Sequence, residues 1–396
     1  MKVLVVSHMY PWPEGDRHLF VHQQTLALTE RGVMARVISP TPYAPRILWR
    51  SPRQRLRGEK PRAAVRDRIP AEYPRVIQPP RRILYDRLGD LAYLRVRRLP
   101  SLRSAGYDLV HAHQALPNGA LAQRLAADLD VPYVITVHGA DVYQNLRGGG
   151  AVAERTAAVL ASAAAVMANS SAVAGLLRDV VPSDRLHVVL NGTTGLDRQV
   201  AAADDYLPGE PLVLTVGYLI PRKEHGTVLE ALALLADDGL RLHWAVVGEG
   251  PLAEPLSRRA AELGLADRVH FLGRQPHERV LALMKRAQLF ALPSRDEAFG
   301  LVYTEAMAQG TPVLAGAGEG PEDFVHNDIT GYLAPVGDAA ALARVMRRMF
   351  ADPVAAARVA EAGRAAAHSL TWERNAGLTL AVYEEALRRY RRKDRV

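Results

Sequence analysis

Short runs of β-branched and aliphatic residues recur along this chain, with helix-length stretches between them. Strands spaced in this way cannot be joined by tight hairpins, so the pattern predicts parallel α/β units. The first series of predicted strands comprises Lys2 to Ser7, Ala35 to Ser39, Leu109 to Ala112, Tyr133 to Val137, Ala165 to Ala168 and Leu186 to Leu190. The second comprises Leu212 to Gly217, His243 to Val247, Val269 to Leu272, Leu289 to Leu292 and Pro312 to Ala315. Two such series predict two doubly wound parallel sheets in succession.

The segment from Asn191 to Gly209 separates the two series. It carries Gly, Pro and paired Asp residues and has no amphipathic period, which is typical of an inter-domain linker. The sequence therefore predicts Rossmann-like domains at 1–200 and 201–396, and the length of 396 residues agrees with two domains. Parallel sheets bind ligands at the carboxyl ends of their strands, so we expect the ligand in a cleft between the domains.

Composition excludes several classes of protein. With 48% hydrophobic and 23% charged residues, the chain is an ordinary folded protein, not a disordered one. The absence of cysteine excludes disulfides, thiolate metal sites, iron–sulfur clusters and a cysteine nucleophile. The apolar run near the start is too short for a signal peptide, and no segment has the roughly 20 apolar residues of a membrane span. We therefore expect a cytoplasmic protein.

One segment is strongly basic. Residues 46–103 contain 17 Lys and Arg against 5 Asp and Glu, a local balance of +12 that exceeds the +8 of the whole chain. The prolines and aromatic residues of this segment predict long surface loops and one or two basic helices inserted in the first domain. Three interpretations remain open: a solubilising face, a contact with anionic membrane or an anionic acceptor at the inner face of the cell membrane, and nucleic-acid binding.

The residues best suited to chemistry follow the predicted strand that ends at Leu292. There the sequence predicts a loop and then a helix opening near Phe299. Backbone N–H groups in the first turn of a helix lack helical partners and lie at the positive end of the helix dipole. The N–H groups of Gly300, Leu301 and Val302 are therefore suited to bind a phosphate.

Two carboxylates flank this predicted phosphate site. Glu297 and Glu305 are eight residues apart, which on one helix is roughly 12 Å of rise, so they cannot bind one atom together. We expect Glu297 in the loop and Glu305 on the second helical turn, where carboxylates can bind sugar hydroxyls. The alternative is purely structural: Glu297 caps the helix and Glu305 complements its dipole.

The pattern resembles the E-x7-E signature of the retaining family 4 glycosyltransferases of GT-B fold. Residues on that pattern are Glu297, Ala298, Phe299, Gly300, Glu305, Ala306, Gly310, Pro312 and Val313. The resemblance extends over nearly the whole chain: Asp108 to His113, Thr136 to Asp141, Val189 to Gly192, Val216 to Lys223, Val246 to Pro251, Gly331 to Leu333 and Thr371-Trp372. It also implies that the last helix, about 373–396, crosses back onto the first domain.

The resemblance implies transfer of a sugar, with retention at the anomeric carbon, from a nucleotide diphosphate to a hydroxyl acceptor. Glu297 would then bind donor-sugar hydroxyls, Glu305 the ribose hydroxyls and Lys223 the diphosphate, with Gly217 nearby. His138 would contact the sugar, as a hydrogen-bonding group rather than a general base.

The resemblance also implies a UDP-linked donor, no bound cofactor and no metal. The acceptor remains open between a lipid-linked saccharide of envelope or exopolysaccharide synthesis and a small molecule. Outside this set, we interpret His111 and His113 as packing residues.

Two positions depart from the family pattern. Tyr218 stands where relatives commonly have an arginine, so one diphosphate cation is missing, and Arg222 and Arg295 are candidate replacements. His18 stands where relatives usually have a glycine beside the phosphate or acceptor. Gly15, or Arg17 and His18 themselves, are the candidates for that contact.

Other functions remain as alternatives. A small-molecule or natural-product glycosyltransferase needs no membrane. A nucleotide-sugar epimerase of this fold would convert the donor without an acceptor. A basic nucleic-acid-binding protein is disfavoured because no helix-turn-helix or stacking pattern occurs. The sequence does not distinguish a monomer from a homodimer.

Overall fold

The chain forms two compact units. The computed structural model describes residues 1–12, 19–43, 60–79, 82–103, 106–193 and 211–393. Unit 1 comprises Met1–Gly192 and Trp372–Val396, and unit 2 comprises Thr193–Thr371. The chain thus passes from one unit to the other at Gly192–Thr193, whereas the predicted boundary near residue 200 lies outside the described residues.

Unit 1 is built on an eight-stranded sheet within the described residues, in the order β10-β9-β8-β7-β1-β2-β5-β4, with β3 and β6 as a separate parallel pair. The strands are β1 (Lys2–Val6), β2 (Met34–Ile38), β3 (Thr41–Pro42), β4 (Ala63–Arg66), β5 (Ile69–Glu72), β6 (Arg75–Val76), β7 (Leu109–His113), β8 (Tyr133–Val137), β9 (Ala165–Ala168) and β10 (Leu186–Val188). The helices are α1 (Leu19–Glu30), α2 (Leu88–Val96), α3 (Pro100–Arg103), α4 (Ala120–Leu129), α5 (Gly150–Ser162) and α6 (Ser171–Gly175). Every residue of β7 and β8 is buried, as expected for central parallel strands.

The basic segment forms strands that the sequence analysis assigned to loops. Strand β5 pairs in parallel with β2, and β4 pairs antiparallel with β5, so the prediction of an all-parallel sheet is wrong at this edge. A two-residue turn joins β4 to β5, and both of its residues, Asp67 and Arg68, have positive φ, as a type I′ turn requires. Buried Ile69 and Ala71 alternate with less buried neighbours, as in a strand with one buried face. The sequence analysis did not recognise this alternation because the neighbouring turn is charged.

Unit 2 is a six-stranded parallel sheet within the described residues, in the order β13-β12-β11-β14-β15-β16. Its strands are β11 (Leu212–Val216), β12 (His243–Val247), β13 (Val269–Gly273), β14 (Leu289–Leu292), β15 (Val313–Gly316) and β16 (Tyr332–Ala334). Its helices are α7 (His225–Asp237), α8 (Ala253–Glu262), α9 (His277–Arg286), α10 (Leu301–Ala308), α11 (Ala339–Ala351) and α12 (Pro353–Ser369). Trp244 is fully buried in its core and donates its indole N–H to the Thr215 hydroxyl at 2.9 Å.

The last helix, α13 (Trp372–Lys393), belongs to unit 1. Its apolar face places Trp372, Ala376 and Tyr383 in the same core as Val3 and Val5 of β1. The Tyr383 hydroxyl is 2.7 Å from Nδ1 of His111, so the helix is also joined to strand β7 by a buried hydrogen bond. No helix among the described residues is both long and apolar enough to cross a bilayer.

The two predicted doubly wound sheets are confirmed, and both are parallel except for β4 at the edge of the first. Every strand predicted in the two series is present, with ends shifted by at most two residues. The sequence analysis missed the short strands β3, β4, β5 and β6 in the first half and β16 in the second. These strands are two to four residues long, too short for a residue pattern to distinguish them from loops.

Candidate active site

The predicted donor-binding residues of unit 2 lie where its strand order reverses. Strands β12 and β13 lie on one side of β11, and β14, β15 and β16 lie on the other. The loops that leave the carboxyl ends of β11 and β14 therefore diverge and open a crevice at the sheet edge, the usual ligand site in doubly wound sheets. The loop after β11 carries Lys223, and the loop after β14 carries Glu297.

Lys223 and Glu297 form an ion pair. Lys223 is the last residue of a 3₁₀ turn over Pro221–Lys223. The Nζ of Lys223 contacts Oε2 of Glu297, which is 74 residues further along the chain. Each side chain is 11% exposed, so the pair is shielded from water on most sides. Gly217 lies against the lysine stem: a Cβ there would be 3.9 Å from Cδ and Cε of Lys223. The cation and the carboxylate satisfy each other.

A second acid, Glu319, holds the Glu297 loop in place. Its Oε2 accepts a hydrogen bond from the backbone N–H of Glu297 at 2.8 Å. Burial raises the pKa of Glu319, and the neighbouring carboxylates of Asp296 and Glu297 raise it further. The Gly320 N–H also donates to the Glu297 carbonyl at 2.8 Å, and a Cβ on Gly320 would be only 2.1 Å from the Ala298 oxygen. The sequence analysis missed Glu319, although it follows β15, the strand next to β14.

Helix α10 begins at Leu301, two residues later than predicted. Gly300 is the residue before it and has φ +79°, so the helix cannot extend back to Phe299. A Cβ on Gly300 would lie 2.4 Å from Cδ2 of Tyr303, which adds a steric requirement for glycine. Among the residues that the structure describes, the N-cap of α10 is Gly300 and no side-chain hydrogen bond caps it, so the interpretation of Glu297 as its cap is wrong. The N–H groups of Leu301 and Val302 lie in the first turn, without partners inside the helix.

Glu305 lies on the second turn of α10, as predicted, and is 9% exposed. Its Oε1 is 4.0 Å from Nε2 of His277, the first residue of α9. Glu297 and Glu305 thus occupy the loop and the helix respectively, and the first turn of α10 separates them in the chain. This is the arrangement predicted for two carboxylates beside one phosphate-binding turn.

The two arginines proposed to replace the missing family cation are both exposed. The Arg295 N–H donates to the Arg222 carbonyl at 2.7 Å, so the two loops run side by side. The Arg295 guanidinium pairs with Glu224 at 3.2 Å, and the Arg222 guanidinium lies 3.5 Å from the Asp296 carbonyl oxygen. The Tyr218 side chain is 53% exposed. Both arginines are therefore near the Lys223–Glu297 pair and reachable from solvent.

In unit 1, His138 follows the carboxyl end of β8. The backbone N–H of His138 is 3.4 Å from an Asp141 carboxylate oxygen, and the Ala115 N–H donates to the same carboxylate at 2.6 Å. Asp141 is buried, and burial raises its pKa to about 6. The imidazole of His138 is 2.9 Å from that of His113, a contact that the sequence analysis missed. The feature of the sequence that could have indicated this contact is the position of His113 at the end of β7, the strand beside β8.

Two further predictions concern residues outside the described ranges and the binding of metal. Gly15, Arg17 and His18 lie outside the described residues, as does most of the predicted linker. In the part of the chain that the structure describes, no group of three or more His, Asp or Glu side chains could hold a metal ion.

Family models match both halves of the chain. The model described as Glycosyltransferase Family 4 matches residues 18–194, and the model described as Glycosyl transferases group 1 matches residues 202–366. The D-inositol 3-phosphate glycosyltransferase of Streptomyces avermitilis is 34% identical over an alignment of 319 residues that covers 74% of this chain and 68% of that protein. The 2-deoxystreptamine glucosyltransferase of Streptomyces kanamyceticus is 32% identical over an alignment of 310 residues that covers 71% of this chain and 78% of that protein.

Solved structures share the fold over nearly the full length. Sucrose-phosphate synthase from Thermosynechococcus elongatus superposes with a TM-score of 0.78 at 24% identity, covering 97% of this chain and 98% of that one. Anabaena HepE in complex with UDP-glucose superposes with a TM-score of 0.70 at 21% identity, covering 96% and 99%. At these identities the likeness concerns the fold alone.

Proposed function

Since the chain belongs to the family 4 glycosyltransferases and has their GT-B fold, we propose that it transfers a sugar from a UDP-sugar to a hydroxyl acceptor with retention at the anomeric carbon. The observation that carries this proposal is the Lys223–Glu297 ion pair at the switch point of unit 2, beside the first turn of α10. This site has a cation for a diphosphate, N–H groups for a phosphate oxygen and acids for hydroxyls.

The proposed chemistry depends on charge placement. The bond between the anomeric carbon and the diphosphate oxygen breaks, a bond to the acceptor oxygen forms, and the acceptor proton leaves with the diphosphate. Negative charge grows on the departing oxygen, and the Lys223 ammonium together with the N–H groups of Leu301 and Val302 stabilises it. Binding of the diphosphate would draw Lys223 away from Glu297 and release that carboxylate for sugar hydroxyls.

We assign the remaining residues to binding and positioning. Glu305 would bind the ribose hydroxyls, and His138 a hydroxyl of the donor sugar. Catalysis then consists of orientation and stabilisation of the leaving group, which requires neither a covalent sugar intermediate nor a metal ion. The UDP specificity is favoured by the UDP and UDP-glucose complexes of Anabaena HepE, a protein with this fold.

For the acceptor, we favour a polyhydroxylated ring. The two relatives above are named for inositol 3-phosphate and 2-deoxystreptamine, which are both six-membered carbocycles with several hydroxyl groups. A lipid-linked saccharide offers the same hydroxyl chemistry and is the second candidate.

A donor panel tests this function. The purified chain is heated with UDP-, GDP- and ADP-linked hexoses, and one UDP-sugar is expected to raise Tm because a ligand that binds only the folded state stabilises it by about 2.7 kcal/mol at 100 times its Kd. The same donor is then supplied with cyclitol and saccharide acceptors, with and without EDTA, and the product's anomeric configuration is read by NMR. Donor conversion without an acceptor would indicate an epimerase instead, and no shift with any sugar nucleotide would refute the proposal.

We also propose a peripheral contact with anionic membrane through the basic segment. At the end of α2, the exposed side chains of Arg95, Arg97 and Arg98 accompany Leu94, which is 57% exposed. Cations beside an exposed apolar side chain are suited to an anionic lipid surface. We expect more protein to sediment with vesicles containing anionic lipid than with neutral ones, less at high salt, and less after replacing the three arginines by glutamine. Equal sedimentation with both vesicles would contradict this contact.

A further inference from the structure

Three histidines lie close together on or just after β7 and β8: His111 and His113 on β7, and His138 after β8. His111 and His113 are on β7, separated by one residue, and both are 1% exposed. Nδ1 of His113 is 2.9 Å from Nε2 of His138, while the two ring centres are 5.2 Å apart and the planes differ by only 5°. The bonded nitrogens therefore lie between the ring centres, so an N–H of one ring points along the lone pair of the other.

This contact needs one hydrogen, and the surroundings decide which ring supplies it. Burial lowers the pKa of His113 well below its usual value, and the nearby His111 and His138 rings lower it further. His113 is therefore neutral near pH 7 and carries a hydrogen on only one of its two nitrogens. The question is which nitrogen of His113 holds it.

The second nitrogen of His113 answers this question. Within the described residues, its Nε2 is buried and has no hydrogen-bond partner. A buried N–H without an acceptor is rarer in folded proteins than a buried acceptor without a donor. The hydrogen is therefore on Nδ1, where it has a partner, and Nε2 keeps its lone pair.

We infer that His113 is a positioning residue that fixes the tautomer of His138: His113 donates from Nδ1 to Nε2 of His138, so His138 carries its own hydrogen on Nδ1. Through Nδ1 this histidine then donates a hydrogen bond and cannot accept a proton. If His138 binds the donor sugar, which rests on the proposed function, it acts on a hydroxyl or phosphate oxygen as a donor and not as a general base.

A second residue of β7, His111, also contacts His113. His111 contacts it with ring centres 4.5 Å apart, and is itself bound by the Thr136 hydroxyl at 2.8 Å and the Tyr383 hydroxyl at 2.7 Å. Burial lowers the pKa of His111 to about 3, with a further contribution from His138, so it stays neutral and adds no charge to the contact. The geometry of His113 is thereby held by a neutral, hydrogen-bonded neighbour.

Histidine-selective 15N NMR of the full chain, without substrate and at about pH 8, tests the inference. The His138 and His113 signals are assigned with H138Q and H113L, and two-bond 15N–1H correlations report which nitrogens carry hydrogen. We expect Nδ1–H on both residues. H113N keeps an N–H donor near the Nδ1 position and should preserve the His138 tautomer, whereas H113D offers an acceptor and should move the His138 hydrogen to Nε2.

An Nε2–H on His138 in the unsubstituted protein overturns the inference, even if neither variant folds. A second readout is turnover with the donor that the panel identifies: loss of one hydrogen bond predicts that kcat/KM falls about tenfold in H113L and recovers to within about threefold of the unsubstituted enzyme in H113N. Equal activity of H113L and H113N contradicts a positioning role. Because the tautomer is read without substrate, failure of the proposed function leaves this result unaffected.

Discussion

Replacement of Lys223 by methionine is expected to lower kcat/KM for the sugar nucleotide by about 10²- to 10³-fold, the usual loss when one preorganised electrostatic group is removed from an active site. Methionine keeps most of the apolar stem that lies beside Gly217 and removes only the charge. The loss should appear mainly in kcat, because the charge on the diphosphate oxygen grows as the glycosidic bond breaks. Steady-state kinetics over a range of donor concentrations separate kcat from KM.

The K223M variant also leaves the Glu297 carboxylate shielded and without its cation, which costs stability. The double variant K223M/E297Q removes both charges and should recover part of the lost Tm without recovering turnover. K285M, at an exposed position on α9, is the matched control and should behave like the unsubstituted enzyme. If K223M keeps its turnover while folded, the assignment of the diphosphate to this lysine is wrong.

The same assay decides between the two arginines. R222A and R295A are compared at equal donor concentrations, and the variant that loses affinity identifies the cation that takes the place of the family arginine. Arg295 must leave Glu224 to reach a phosphate, whereas the Arg222 guanidinium approaches a backbone oxygen at 3.5 Å, a weaker contact. We therefore expect the larger effect from R222A. Unchanged affinity and turnover in both variants would exclude both residues.

Replacement of Glu297 and of Glu305 by glutamine should separate the two halves of the donor. Hydrogen bonds to charged groups contribute about 1.5 to 3 kcal/mol, which corresponds to roughly 10- to 100-fold in affinity or rate. E297Q is expected to reduce turnover by that factor without weakening UDP itself, because the proposed partners of Glu297 are sugar hydroxyls and loss of its charge only frees Lys223 for the diphosphate. E305Q is expected to weaken UDP and the UDP-sugar equally, because its proposed partner is the ribose.

Isothermal titration with UDP and with the UDP-sugar measures both variants. Each substitution keeps the side-chain shape, and an unchanged circular dichroism spectrum confirms that the protein remains folded. E297Q is expected to lose some Tm because it leaves Lys223 shielded without its carboxylate. Equal loss of UDP affinity in the two variants would show that Glu297 binds the nucleotide. Full activity in both would mean that neither acid contacts the donor.

Much of the fold could be predicted because its signals are local and repeated. Strands such as Tyr133–Val137 and His243–Val247 are apolar runs of five residues flanked by helical stretches, and their bounds agree with the structure. Strands β4 and β5 were missed because Arg66, Asp67 and Arg68 gave the segment a charge that suggested loops. Their place at the sheet edge depends on the pairing of β5 with β2, a contact that no local pattern contains.

The candidate site shows the same division. The residue types and spacing in PSRDEAFGLVYTE predict a phosphate-binding turn with two acids, independent of the rest of the chain. The partners of those acids depend on which loops meet at one sheet edge. Glu319 follows a different strand from Glu297, and Lys223 is 74 residues away, so only the strand order brings them together.

The sequence by itself therefore determined the two parallel sheets, the loop and helix around Gly300, and the family, because periodicity and short-range spacing are properties of neighbouring residues. Only the tertiary structure decided that Lys223 is paired with Glu297 and that His113, a residue interpreted as packing, contacts the imidazole of His138. Both contacts form where strands distant in sequence end side by side. Burial there excludes water, so each polar group depends on the partner that the fold places next to it.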